Sequence, residues 1–208
     1  MKVLFATTNP AKIANYVNKL KQYDYDILTL KDIDVNIDVD ETGKIPEENA
    51  KIKANKYHEA SGYITIASDD GLFIEGLDES LQPGPLVRRV NGKRLNDNEM
   101  IDYYKNLIHS IGGSAKAYWL HSYNINDGKN SYSFSKKSYF CMKDTPSIKI
   151  REGYPLDSLN YLEDFGKYRS EISDDILQQI QKTKYDDIYA FLIQSLNKCI
   201  GGGKWRIF

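Results

Sequence analysis

The residues most able to do chemistry lie in the stretch Glu41–Leu77, ETGKIPEENAKIKANKYHEASGYITIASDDGLFIEGL. Asp69 and Asp70 follow directly on Tyr63 to Ala67, a short β-branched and aromatic run of the kind that forms a buried strand. In open α/β sheets ligands collect at the carboxyl ends of strands. Glu48 precedes them on a helical stretch. Carboxylates from two elements, gathered at a strand end, are oxygen donors for a hard cation. Glu48 and Lys53 are five residues apart, about 140° around a helix, so they cannot pair side by side. They can flank one site, the carboxylate on a metal and the ammonium on a phosphate. With Lys51 and Lys56 nearby, the same charges also fit a plain solvated helix face.

A second group gathers near the N-terminus. Thr7, Thr8, Asn9 and Pro10 follow the apolar run Val3 to Ala6, and Lys12 comes two residues later. Asn9 suits an N-cap and Pro10 the first helical position. The free backbone N–H groups of a helix start bind anions, phosphate above all. The loop lacks GxxxxGK[ST], so it is not a Walker A motif. An ordinary capped turn between strand and helix accounts for it equally well. A third candidate is Arg88-Arg89, after the rigid turn Gln82-Pro83-Gly84-Pro85, which could reach ligand phosphates or face solvent.

The elements that must position these residues read as an α/β chain. Val3 to Ala6 has the profile of a central parallel strand. A helix follows to about Tyr23, with Ile13, Tyr16, Val17 and Leu20 on one face. Asp26 to Leu30 reads as a second strand, and Asp32 to Asp40 as an irregular connection. A helix starts at Pro46 with Glu47 and Glu48 in its first turn, runs to about Ala60 and stops near Gly62. The strand Tyr63 to Ala67 then ends in an acidic turn, with Leu72 to Leu77 continuing or pairing with the sheet. Asn96 or Asp97 caps a helix reaching about Ile108, with Met100, Ile101, Tyr104 and Ile108 inward. Ala115 to Ile125 and Ser131 to Met142 read as an antiparallel hairpin through Asn126-Asp127-Gly128. Ser147 to Ile150 is a possible further strand, and Gly153 to Tyr168 is irregular. A helical pattern returns near Ser173 and continues, broken near Tyr185, to Cys199. Residues 201–208 form a Gly-rich tail.

Composition excludes several classes. The chain has 208 residues, with 41% apolar, enough for a core and too many for disorder. Its net charge of −1 provides no global field for nucleic acid or membrane. No apolar run approaches the roughly 20 residues of a membrane span. The N-terminus reads as a strand, not a signal peptide. The 16 tyrosines scatter and form no stacking platform in the sequence. Cys141 and Cys199 are far apart without metal-ligand spacing, which favours free thiols and a cytoplasmic setting.

Four segments in order resemble the Ham1-type pyrophosphatases of inosine and xanthosine triphosphates. ATTNPAK at 6–12 is similar to their T/S-x-N-x-x-K, matched by Thr7, Asn9 and Lys12. ETGKIPEENAKIKA at 41–54 resembles ETG-x-T-F-x-E-N-A-x-x-K-A, and IASDDGLFIEGL at 66–77 resembles ADDSGL-x-V-x-AL. PGPLVRR at 83–89 resembles PGVYSAR and places Arg89 on the arginine. The resemblance implies an elongated mixed sheet with flanking helices and two lobes around a central cleft. It implies one domain over 1–208, with a lobe break near 112–114, and a homodimer. The implied reaction is Mg2+-dependent hydrolysis of a nucleoside triphosphate to monophosphate and pyrophosphate. Thr7, Thr8, Asn9, Lys12, Lys53, Asp70 and Arg89 would bind substrate. Glu48 and Asp69 would hold the metal, or Asp69 would activate the attacking water.

The chain also departs from that pattern. The family's Asp-Asp-Ser is Ser68-Asp69-Asp70 here, so Asp70 is either a new ligand or a turn acid before Gly71. The family's G-F/W-G-Y/W-D-P appears only as Gly153-Tyr154-Pro155-Leu156-Asp157. Ser170-Glu171-Ile172 resembles its A-E-M/L, but the segment that reads the purine base has no match afterwards. Base preference is therefore open. Two other readings stand beside the leading one: a non-catalytic nucleotide-binding protein on the same scaffold, and a Maf-like pyrophosphatase of another nucleotide.

Overall fold

The computed structural model describes residues 2–23, 25–35, 37–184 and 186–200. The tail at 201–208 and Tyr185 lie outside them. Its centre is a seven-stranded mixed sheet in the order β2-β1-β3-β6-β7-β8-β9. Strand β1 (Lys2–Phe5) lies between β2 (Asp26–Thr29) and β3 (Ile64–Ile74), parallel to both. Val3, Leu4 and Phe5 are fully buried, as expected of a central strand covered on both faces. Strands β6 (Ser114–Asn126) and β7 (Ser131–Lys143) are neighbours, joined by a short loop carrying Asp127 and Gly128. Strand β8 (Asn160–Leu162) pairs antiparallel with β7, and β9 (Lys167–Tyr168) pairs antiparallel with β8. A separate ribbon pairs β4 (Arg89–Val90) with β5 (Lys93–Arg94).

The first helical segment, α1, combines α turns at Pro10–Lys12 and Asn18–Leu20 with a π turn at Ile13–Val17 and a 3₁₀ turn at Lys21–Tyr23. The sequence pattern predicts its span but not the π turn, a feature frequent near functional sites. Helix α2 (Pro46–Ser61) starts with Pro46 and the acids Glu47 and Glu48. It ends on Gly62 in the left-handed conformation, which satisfies the last carbonyls. Helix α3 (Asp97–Ser110) begins with a reciprocal capping box between Asn96 and Glu99. Helices α4 (Asp174–Lys184) and α5 (Asp186–Cys199) complete the chain. Among the described residues no helix is long and apolar enough to cross a membrane.

Two compact units divide the chain, and β3, β6 and β7 contribute residues to both. The first comprises 1–70, 121–136 and 184–208. Here strand alternation sorts side chains into two layers. Val3, Phe5, Ile66, Tyr123 and Ile125 pack with Tyr16, Val17 and Leu20 of α1 and Leu192 and Leu196 of α5. Leu4, Ala6 and Ala67 pack on the opposite face with Ala54 of α2. The second unit comprises 71–120 and 137–183. Its core joins Leu72 and Ile74 to Met100, Tyr104 and Ile108 of α3 and to Met142, Leu156 and Leu159. Gly112 and Gly113 lie inside this unit, between α3 and β6.

Several expectations are corrected. Asp69 and Asp70 make no turn, because β3 runs unbroken through both to Ile74. Ser147 to Ile150 forms no strand; Ile148 and Ile150 are exposed, so alternation there serves no buried face. The span 153–168 is more ordered than its prolines and glycines imply, holding a 3₁₀ turn at Pro155–Ser158 besides β8 and β9. Three of the 16 tyrosines meet in the first core, where Tyr16 contacts both Tyr123 and Tyr189. Cys141 and Cys199 are free thiols, and burial pushes the Cys199 thiol up to about 12.

The tip of the β6–β7 hairpin rests on α2. Asn126 donates to Asn55 Oδ1 at 2.6 Å. Gly128 has φ of 85°, and a Cβ there would stand 2.5 Å from His58 Nε2, whose ring is held by Nδ1 bonding the Tyr63 carbonyl. Gly128→Ala is therefore expected to cost about 1–2 kcal/mol. Urea unfolding checks this, and an unchanged midpoint contradicts the docking of the tip.

Candidate functional site

The register of β3 builds the site. Phe5 is the last residue of β1 and pairs with Ile66, after which the Ala6 N–H donates to the Ile66 carbonyl at 2.8 Å. Residues 68–70 therefore extend past the end of β1, level with the loop that leads into α1. That loop is a tight cap. Asn9 Oδ1 accepts from the Lys12 N–H at 3.3 Å, and Thr7 Oγ1 accepts from the Asn9 N–H at 3.1 Å. Thr8 is exposed. Asn9 is thus an N-cap serving the third helical residue. The cap fixes where Lys12 leaves the helix.

Alternation then assigns the acids. Ala67 faces α2, so Asp69 does too. Its Oδ1 accepts from Lys53 Nζ at 3.0 Å and its Oδ2 from Asn49 Nδ2 at 3.2 Å, both from α2. Lys53 also reaches Glu41 Oε2 at 3.1 Å. Ile66 faces α1, so Ser68 and Asp70 do too. Lys12 Nζ lies 3.1 Å from Ser68 Oγ and 2.9 Å from Asp70 Oδ2. The other carboxylate oxygen of Asp70 is bonded at 2.8 Å by His121 Nδ1, from β6. Two neighbouring acids thus point to opposite faces, and each meets a lysine from a different helix.

The electrostatics differ between them. Burial pushes the Asp69 carboxyl up, and Lys53 and Asn49 only partly offset this. Burial would also raise Asp70, but the Lys12 ammonium and the His121 ring outweigh it and hold the carboxyl well below the usual carboxylate range. Lys53 and Asp69 are only 14–15% exposed in their side chains, so water screens their contact weakly; Lys12 and His121 are equally covered but Asp70 is 30% exposed, so its contacts are screened more.

Sequence reasoning overlooked two residues. Asn49 is almost fully buried; besides holding Asp69 it accepts from the Gly43 N–H at 2.8 Å. A Cβ on Gly43 would stand 2.6 Å from Asn49 Oδ1, which gives the glycine of ETG a spatial reason. His121 was legible in principle. Tyr123 and Ile125 are apolar at alternate positions of one strand face, and His121 continues that period.

Glu48 is exposed, and its Oε2 accepts from the Lys44 N–H at 2.7 Å. Among the described residues no three His, Cys, Asp or Glu side chains are gathered for a metal. Arg89 is exposed on β4 in the second unit. There Arg88 is the engaged arginine, 2.7 Å from Asp97. Asp157 is flanked by Arg169 at 3.3 Å and Arg151 at 3.6 Å. Asp70 is neither a turn acid nor an idle one, since both its oxygens are bonded.

Comparison with known proteins adds a sequence match and a fold match. Residues 3–138 match the model of the Ham1 family. A dITP/XTP pyrophosphatase of Thermoanaerobacter sp. is 32% identical over 177 residues, covering 83% of this chain and 86% of that one. The Ham1 protein of Staphylococcus aureus superposes with a TM-score of 0.77 at 21% identity, over 94% of this chain and all of that one. A Mycobacterium abscessus structure, described as a nucleoside-triphosphatase or dITP/XTP pyrophosphatase, gives 0.72 at 20% identity, over 88% and 95%. At that identity the structural matches speak for the fold.

The opposite shifts of the two acids have opposite linkage. Asp70 is more acidic folded than unfolded, so the stability it adds is complete above the unfolded value near 4 and drains as pH falls below it. Asp69, shifted up, gives its contribution at acid pH and loses it as pH rises through its folded value. Asp70→Asn is therefore expected to flatten the fall in urea midpoint between pH about 4 and 2. A slope equal to that of the wild type contradicts the assignment.

Proposed function

The chain belongs to the Ham1 family, and on that premise we propose that it is a nucleoside triphosphate pyrophosphatase acting on deaminated purine nucleotides. Water attacks, the anhydride bond between the α and β phosphates breaks, and monophosphate and pyrophosphate leave. The observation that carries this reading is the pairing of Lys12 and Lys53 with adjacent acids of β3, beside a capped helix start. Ammonium groups and helix N–H groups are what a polyphosphate requires. Thr7, Thr8 and Asn9 shape that helix start, and Lys12 and Lys53 supply charge. Asp70 aims Lys12, and Arg89 is proposed as a further phosphate contact.

A divalent cation fits the donor set by type. Asp69 and Glu48 are hard oxygen donors, and Mg2+ commonly takes only one or two carboxylates, filling its shell with phosphates and waters. These two residues would hold it, and when bound it would neutralise phosphate charge. A carboxyl pushed up by burial, like that of Asp69, also suits a group that accepts a proton from water. Lys53 and Asn49 hold that carboxylate in place. Lys12, fixed from the opposite face, would stabilise charge on the phosphoryl oxygens. A homodimeric, cytoplasmic enzyme without a nucleic-acid partner completes the proposal, the free thiols agreeing with a reducing compartment.

The test is pyrophosphate release from a panel of canonical and deaminated triphosphates, with Mg2+ and with chelator. Release is expected from inosine and xanthosine triphosphates, and only with the metal. No release from any triphosphate by folded protein rejects the reading. Triphosphate binding by calorimetry without hydrolysis would move it to a non-catalytic binder. Asp69→Asn is expected to lower turnover by at least about a hundredfold while the protein stays folded. Unchanged turnover removes Asp69 from the chemistry.

A further inference from the structure

Positions 68 and 70 lie two residues apart on one face of β3, about 7 Å along the strand. Both touch the same atom: Lys12 Nζ is 3.1 Å from Ser68 Oγ and 2.9 Å from Asp70 Oδ2. The family pattern Asp-Asp-Ser puts the carboxylate at the first of these positions and the hydroxyl at the second. This chain has them the other way round. The acid has therefore not slipped to the opposite face. It has changed places with a hydroxyl on the same face, leaving one carboxylate and one hydroxyl around one ammonium.

The exchange carries a cost that His121 offsets. A carboxylate bonded through one oxygen alone can turn about its Cβ–Cγ bond and aims an ammonium poorly. His121 stands on the same face as Tyr123 and Ile125 and donates or shares a proton at Asp70 Oδ1, 2.8 Å away. The ring also fixes the carboxylate plane, and so the direction in which Oδ2 meets Lys12. An ammonium has three N–H donors. Asp70 and Ser68 take two of them, and their positions aim the third.

We propose that Ser68, Asp70 and His121 act as one positioning set for Lys12, in which Asp70 replaces a carboxylate at position 68 and His121 makes the replacement workable. This rests on the pyrophosphatase reading, because aiming Lys12 matters through the phosphate it meets. Asp70 and His121 are positioning residues, acting on substrate through the lysine.

Reversing the exchange tests the set. Asp70→Ser alone is expected to lower kcat/KM by about tenfold or more, and Ser68→Asp alone to lower it as well, by crowding two acids on one ammonium. The double variant Ser68→Asp/Asp70→Ser is expected to return to within about threefold of the wild type. His121→Phe should match Asp70→Ser, and His121→Asn, whose amide can stand near the Nδ1 position, should recover most of the loss. Thermal unfolding identifies any variant that fails to fold, and Asp70→Asn, equal in volume, then replaces Asp70→Ser. A second readout does not need turnover. Acylation of Lys12 by an amine reagent, followed by mass spectrometry, should accelerate in Asp70→Ser and slow again in the double variant. Additive losses in the double variant, or wild-type turnover and acylation in Asp70→Ser, overturn the proposal. If no protein releases pyrophosphate while the acylation pattern holds, the set stands and the pyrophosphatase reading falls.

Discussion

The two-residue period of a single strand governs this site. β3 passes Ser68, Asp69 and Asp70 beyond the end of β1, and each successive side chain turns to the other face. One face belongs to α2 and the other to α1. Neighbouring acids that would repel each other in a loop are thereby separated, and each is neutralised by a lysine from its own side. The cores below enforce the phase. Ile66 packs with α1 and α5, and Ala67 packs with α2, so a one-residue slip would turn every side chain, the acids included, toward the wrong helix.

The consequence is two unlike carboxylates three backbone bonds apart. Asp69 sits in a less polar setting that favours its neutral form, held by one amide and one ammonium. Asp70 is fixed as an anion by Lys12 and His121. Environments that push adjacent carboxyls apart commonly divide their roles. On the proposed reading, the division is between a group for metal or water and a group that holds a lysine. The supporting contacts lie one layer out: Asn49 for Asp69, Gly43 for Asn49, and Asn9 for the start of α1. Such outer contacts decide whether a site is held closely enough to work.

Much of this was legible in the sequence, for identifiable reasons. Pro46 with Glu47 and Glu48, and Gly62, bounded α2 because capping is local chemistry. Asp127-Gly128 located the hairpin for the same reason. What local chemistry does not carry was missed. The acids looked like a turn because Asp-Asp-Gly is turn-like in isolation, yet pairing with neighbouring strands holds β3 extended through them. The partner of Asp70 lies 51 residues away, and no local pattern names it. The alternation around Tyr123 did mark the face on which His121 sits. The segment 147–150 erred in the other direction: its alternating residues have no sheet face to cover.

On the proposed reading, Lys12 and Lys53, held on opposite faces of β3, meet one polyphosphate. Side-chain nitrogen NMR of Lys12 and Lys53 during titration with a non-hydrolysable inosine triphosphate analogue and Mg2+ addresses it directly. Both ammonium signals should move, with a common midpoint. A titration that shifts only one of them, or shifts them at separate midpoints, would contradict the account.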